Sequence, residues 1–206
     1  PATPLIAHDP YFSVWSTADQ LTAQPTKHWT GTDQPLLGLI RVDGKVLRFM
    51  GGGPRWASQM AVLPEKSRRI TPTRTLYTFE GEGIEFDLTF LTPALAGDMD
   101  TLARPVTYLV FDIRATDRKA HKVRLYVDAS SHIAVDTTAQ KAMWSRHRVG
   151  NLEVVRLGST EQRMLTRSGD NLRIDWGYFY LAAPGPATTL GISARVRASY
   201  AATLEL

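Results

Sequence analysis

The chain has 206 residues, a formal net charge of +4 and no cysteine. This length is enough to bury a substantial core, and without cysteine there are no disulfides, thiolate nucleophiles or cysteine-ligated metals within it. No apolar run approaches the ~18 residues of a membrane-spanning helix, so we expect no membrane partner. The basic residues stand beside acids or on alternating segments, which favours a solvated basic surface over nucleic-acid binding.

The first predicted element is the aromatic stretch HDPYFSVWS, residues 8–16. Its alternation is typical of a strand that Asp9-Pro10 starts, since proline lacks a backbone donor and fits the first position of a strand. A structural role for these aromatic side chains is the first interpretation. The alternative places four nearby residues in a cleft at a domain interface, where small-molecule sites are common: His8, Asp9, His28 and Trp29.

Two β-hairpins follow along the chain. QPLLGLIRVDGKVLRFMGG turns at Asp43-Gly44, a pair that accepts the positive φ angles of a tight hairpin turn. TRTLYTFEGEGIEFDLTFLTP turns at Glu82-Gly83. Its second half alternates apolar and polar residues, which predicts one face on a core and the other in water: Ile84, Phe86, Leu88 and Phe90 against Glu85, Asp87 and Thr89.

Further strands are predicted in PVTYLVFDIRAT, HKVRLYVDASS, NLRIDWGYFYLAA and TTLGISARV, with another hairpin around Gly150-Asn151. Helix is scarce, with a turn or two expected at 57–62 and at 159–166. Asp98 and Asp100 resemble a calcium loop by spacing, but a turn in which aspartate bonds its own backbone is favoured.

About ten closely spaced strands predict an all-β fold, a large two-sheet antiparallel sandwich (supersandwich-like) with little helix. The glycine-rich GGGP at 51–54 interrupts the pattern. We therefore expect an N-terminal β-hairpin region at 1–56 that packs on a main β-sandwich at 57–206.

No catalytic motif accompanies these strands. The five histidines form neither HxH nor HExxH, and neither a GxSxG elbow nor a phosphate-binding GxxxxGK[ST] loop is present. The sequence thus predicts no metal and no cofactor. In DWGYFYLA, an aromatic row formed by Trp176, Tyr178 and Tyr180 suits a sheet core, a domain contact or a glycan, and we add Asp175 and Trp176 to the candidate interface.

Several ordered strings identify a resemblance: HDPYFSVWS, PTKHWTG, GLIRVDGKVLRFMG, ARPVTYLVF and DWGYFYLA. Together they resemble the N-terminal β region of the glutaminase A-like family, whose members are large exported proteins of bacteria and fungi. The resemblance extends from Leu5 to about Leu190. The resemblance implies a β-sandwich ahead of a helical, (α/α)-toroid-type domain. It also implies export and, for the parent protein, hydrolysis of L-glutamine to L-glutamate and ammonia.

On this basis we expect a non-catalytic N-terminal domain, cut short within its β region, whose partner is the helical domain of the same polypeptide. The face that meets that domain should be apolar and exposed. Two alternatives stay open. One is a carbohydrate-binding or accessory domain of a glycoside-hydrolase-like protein, with a small-molecule or glycan ligand; the other is a purely structural interaction module.

Overall fold

The computed structural model describes residues 2–185 and residue 190. The chain divides into two compact units, Pro1–Val127 and Asp128–Leu206. The predicted strand TTLGISARV lies outside the described residues apart from Leu190. The predicted division after residue 56 stays a prediction.

Strands dominate both units. In the first unit they are β1 (Thr3–Ala7), β2 (Ser13–Ser16), β3 (Lys27–His28), β4 (Leu36–Val42), β5 (Lys45–Met50), β6 (Glu65–Thr71), β7 (Arg74–Gly81), β8 (Ile84–Leu91), β9 (Tyr108–Ala115) and β10 (Val123–Ala129), which ends just past the unit boundary. The second unit contains β11 (Ala142–Val149), β12 (Leu152–Ser159) and β13 (Phe179–Pro184). Helical segments are α1 (Arg55–Ser58), α2 (Met99–Leu102) and a 3₁₀ helix (Ser131–Ala134).

These strands form four antiparallel sheets, in the orders β1-β2-β3, β10-β4-β5, β6-β7-β8-β9 and β11-β12-β13. The predicted all-β, sandwich-like class is therefore confirmed. The three predicted hairpins are confirmed as well, because β4 pairs with β5, β7 with β8 and β11 with β12. Local chemistry explains two of the turns, since Asp43-Gly44 and Glu82-Gly83 both have positive φ, as a type I′ turn requires.

The core of the first unit lies between the β4–β5 sheet and the β6–β9 sheet. Phe49 of β5 meets Phe86 of β8 edge-on, with ring centroids 4.9 Å apart, and Phe86 stacks on Phe79 of β7 at 5.6 Å. All three rings are completely buried. The alternation predicted for β8 is confirmed, because Ile84, Phe86, Leu88 and Phe90 are buried and the residues between them are not. Two packed sheets with aromatic contacts between them make this unit a sandwich.

The helix predictions are met in part. Helix α1 overlaps the segment expected at 57–62, whereas residues 159–166 contain no helix. Helix α2 was not predicted. Asp98 begins it, accepting the backbone N–H of Thr101 at 3.1 Å, so the expected turn that bonds its own backbone is present and continues into one helical turn.

Candidate functional site

The loop between β1 and β2 is shaped by Asp9. One oxygen of its carboxylate accepts the backbone N–H groups of Tyr11 at 2.8 Å and Phe12 at 3.0 Å. An aspartate that bonds the backbone two and three residues further on fixes a tight turn. The prediction that Asp9-Pro10 starts a strand is therefore wrong: β2 begins at Ser13, because the Asp9 carboxylate holds residues 9–12 in a turn.

His28 and Trp29 meet this loop at a single backbone oxygen. The carbonyl of Pro10 lies 3.1 Å from His28 Nε2 and accepts the indole N–H of Trp29 at 2.5 Å. Because a carbonyl only accepts, His28 carries its proton on Nε2, and Nδ1 accepts the backbone N–H of Thr30 at 3.3 Å. His28 is buried, whereas the side chain of Trp29 is half exposed.

His8 closes the same cluster. Its ring stacks on Phe12 at 5.1 Å, and Nε2 lies 3.3 Å from the hydroxyl of Thr107, which in turn is 2.6 Å from the hydroxyl of Thr92. Burial lowers the pKa of His8, against the opposing effect of the Asp9 charge. Nδ1 is buried without a hydrogen-bond partner among the described residues.

The structure thus brings together four of the six predicted site residues, around the turn at residues 8–12. Three of their polar groups hold loop backbone in place: the Asp9 carboxylate, the His28 ring and the Trp29 indole. The exposed indole face of Trp29 is the part of this cluster that stays accessible, since Nδ1 of His8, which has no partner among the described residues, is buried. Such a face suits stacking against a partner.

Asp175 and Trp176 lie in the second unit. Asp175 is buried, and one of its carboxylate oxygens accepts a bond from the Gln140 amide at 2.9 Å and lies 3.3 Å from Arg167 Nε. Arg167 also pairs with Asp136. Because removing a partner would leave an uncompensated buried charge, these contacts serve the packing of the second unit.

The prediction of one continuous aromatic strand from Trp176 to Tyr180 is wrong at its start, because β13 begins at Phe179. The amide of Gln162 binds both backbone groups of Gly177, accepting its N–H at 2.7 Å and donating to its carbonyl at 3.1 Å. With φ at +76°, Gly177 bends the chain there. Trp176 consequently precedes the strand and does not share a row with Tyr178 and Tyr180.

Tyr178 and Tyr180 do form an aromatic pair, with ring centroids 6.4 Å apart. The guanidinium of Arg156, on the neighbouring strand β12, lies 4.3 Å from the centre of the Tyr178 ring. Both tyrosines are exposed. Two tyrosine rings beside a charged donor offer a surface for stacking.

A second polar cluster, centred on His121, was not predicted from the sequence. His121 lies between two carboxylates, with Nδ1 2.6 Å from Asp43 and Nε2 2.9 Å from Asp117. Both ring nitrogens must donate, which requires the charged imidazolium, and these bonds raise the pKa of His121. The sequence indicated a turn at Asp43-Gly44 but carried no signal that the fold would bring His121 and Asp117 to it.

Within the described residues, no group of three or more His, Asp or Glu side chains is placed to hold a metal ion. Among the same residues no helix is long and apolar enough to cross a membrane.

Two protein families match this chain, each over its own part of the sequence. Residues 1–54 match the family described as Domain of unknown function (DUF4964), and residues 73–206 match Domain of unknown function (DUF5127). Glutaminase A of Aspergillus oryzae is 28% identical over 190 residues, which are 88% of this chain and 27% of that protein.

The chain therefore spans about a quarter of the length of this curated relative. No solved structure matches it with significance. The resemblance to glutaminase A-like proteins is confirmed by the relative and by both domain matches. Since the longer match covers well over half of the chain, the chain belongs to the DUF5127 family, preceded by a DUF4964 region.

Proposed function

We propose that this chain is a non-catalytic β-sandwich region, N-terminal to the catalytic portion of an exported glutaminase A-like hydrolase, whose parent reaction converts L-glutamine and water to L-glutamate and ammonia. One observation carries the proposal. Similarity to glutaminase A extends over 88% of this chain and accounts for only 27% of that protein. A region of this kind contributes a scaffold or a cleft wall to a larger enzyme.

The bonding of the predicted site residues supports a scaffolding role. A general base or nucleophile has to reach the substrate with a free lone pair or proton. One oxygen of the Asp9 carboxylate is engaged by two backbone N–H groups, and His28 uses one nitrogen on Pro10 and the other on Thr30. Asp175 is held by Gln140 and Arg167.

The first test is ammonia release from L-glutamine, measured for residues 1–206 and for the full-length glutaminase A-like protein that contains them. We expect ammonia from the full-length protein alone. His8→Ala in that protein should keep kcat within a few-fold of the unmodified enzyme, as should His147→Ala, an exposed control in β11. Activity in residues 1–206 that His8→Ala abolishes would make the turn at residues 8–12 catalytic and refute the proposal.

Export is checked on the same full-length protein by cell fractionation. We expect it in the periplasm or the culture medium when the native gene is expressed. Retention in the cytoplasm would contradict this part of the proposal.

A second candidate function is glycan binding by the second unit, favoured by the exposed Tyr178–Tyr180 pair beside Arg156. Sugar rings stack on such aromatic faces. A bound oligosaccharide should raise the melting temperature of the chain in proportion to its concentration relative to Kd. Cello- and malto-oligosaccharides are suitable probes, and Tyr180→Ala should abolish the rise while Tyr108→Ala, an equally exposed tyrosine of the first unit, leaves it unchanged.

A further inference from the structure

Strand β9 is the last strand of its sheet within the described residues. Just beyond its end, Thr116 donates its backbone N–H to the carbonyl of Gly83 at 2.8 Å. In an antiparallel ladder, residues that bond to the neighbouring strand alternate along the chain. The even-numbered residues of β9 therefore bond to β8. The odd-numbered residues direct their backbone N–H and C=O groups to the open edge: Leu109, Phe111 and Ile113.

The side chains of these same three residues lie on the core side of the sheet. Phe111 stacks on the buried ring of Phe86 at 6.2 Å, which extends the aromatic core into β9. The next row is incomplete, however, because Leu109, Phe111 and Ile113 are only half-buried, whereas Phe86, Leu88 and Phe90 on β8 are buried almost completely. Within the part of the chain that the structure describes, the core thus ends at β9 with apolar surface still exposed.

Nothing in the sequence of β9 protects this edge. The strand pairs with β8 over all eight residues without a bulge and contains no proline. Its charged residues Asp112 and Arg114 are exposed on the other face, where Arg114 pairs with Glu85 and Asp87. Sheet edges that stay in solvent are usually short, bulged or guarded by inward-pointing charges. A long regular edge with half-exposed apolar residues is instead suited to accept another strand.

We propose that β9 binds an additional β-strand from the remainder of the glutaminase A-like polypeptide, so that the β6–β9 sheet and its core are completed only in the longer protein. The proposal rests on the proposed function. Glutaminase A indicates where such a strand comes from, since nearly three quarters of the length of that protein lies outside the region it shares with this chain. The added strand is apolar at alternate positions facing Leu109, Phe111 and Ile113, and it donates and accepts backbone bonds at their amides and carbonyls.

Hydrogen exchange at single amides tests this directly. In residues 1–206, the amides of Leu109, Phe111 and Ile113 should exchange rapidly, while Val110 and Asp112, bonded to β8, serve as protected internal controls. In the full-length protein the three edge amides should slow by at least about tenfold, with the two controls protected in both samples.

A matched pair of variants separates backbone bonding from side-chain loss. Leu109→Pro and Leu109→Ala both remove the leucine side chain, but only the proline removes the edge N–H, which an unpaired edge tolerates. The two variants should melt alike in residues 1–206. In the full-length protein, Leu109→Pro should melt lower than Leu109→Ala and return the Phe111 amide to rapid exchange.

Each contrary result overturns the inference. Protection of the edge amides in monomeric residues 1–206 would show that the edge is already covered. Protection that grows with the concentration of residues 1–206 would make a second copy the occupant. Rapid exchange in a full-length protein that still hydrolyses glutamine would refute the added strand and leave the proposed function standing, because ammonia release is measured independently.

Discussion

Replacement of Phe86 by alanine tests the packing on which the first unit depends. The ring is completely buried and touches three others: Phe49 at 4.9 Å, Phe79 at 5.6 Å and Phe111 at 6.2 Å. Truncation of a buried phenylalanine costs ~3–5 kcal/mol, and with three aromatic contacts we take the middle of that range, about 4 kcal/mol. A domain with ~5–15 kcal/mol of total stability loses a quarter or more of it.

Urea unfolding provides the measurement. With an m-value of about 2 kcal/mol per molar, the midpoint of the first unit should fall by roughly 2 M. Because the chain has two compact units, the curve is fitted with two transitions, and the transition assigned to the second unit should not move. Phe111→Ala is the matched control, since its half-buried ring should cost about half as much. A Phe86→Ala loss no larger than that of Phe111→Ala would refute this account of the core.

Two further predictions concern a charge cluster and a glycine. His121 has a raised pKa in the folded chain, so its contribution to folding stability is fully present below the unfolded pKa of about 6.5 and is lost as pH rises through the higher folded pKa. His121→Gln should therefore lower the urea midpoint more at about pH 6 than at about pH 9. An equal loss at both pH values would exclude a charged His121. Gly38→Ala would place a Cβ 2.5 Å from Cζ of Phe49 and 3.0 Å from Cβ of Met50, so the melting temperature should fall through overpacking worth ~1–3 kcal/mol. The control Gly97→Ala, with open space around its Cβ, should change the melting temperature little. A similar fall for Gly97→Ala would contradict the packing argument.

Features set by neighbours along the chain were predictable from the sequence. The turns at Asp43-Gly44 and Glu82-Gly83 need positive φ at both residues, a requirement that residue type reveals. The alternation of β8 likewise shows which side chains face the core. The loop at Asp9 is also set locally, because the aspartate bonds backbone only two and three residues away, but the aromatic alternation predicted a strand from Asp9-Pro10, and β2 begins only at Ser13.

Features that depend on tertiary structure were not predictable. The imidazole of His121 meets Asp43 only because the fold brings two distant turns together. At DWGYFYLA the β-forming residues predicted a longer strand, but the side chain of Gln162 takes both backbone groups of Gly177 and ends the ladder there. Side-chain competition for backbone bonds leaves no periodic signal in the sequence.

The position of β10 beside β4 has a consequence for biosynthesis. Strand β4, LLGLIRV, is buried at all seven residues, and one of its edges pairs with β10, which begins at Val123. During translation at ~5–20 residues per second, β4 and β5 wait roughly 4–16 s for that partner. Meanwhile the β6–β9 meander, whose strands pair in chain order, can form from local contacts. The nascent chain therefore exposes an apolar strand edge for seconds, which makes β4 the segment where a holding chaperone would have the most to protect.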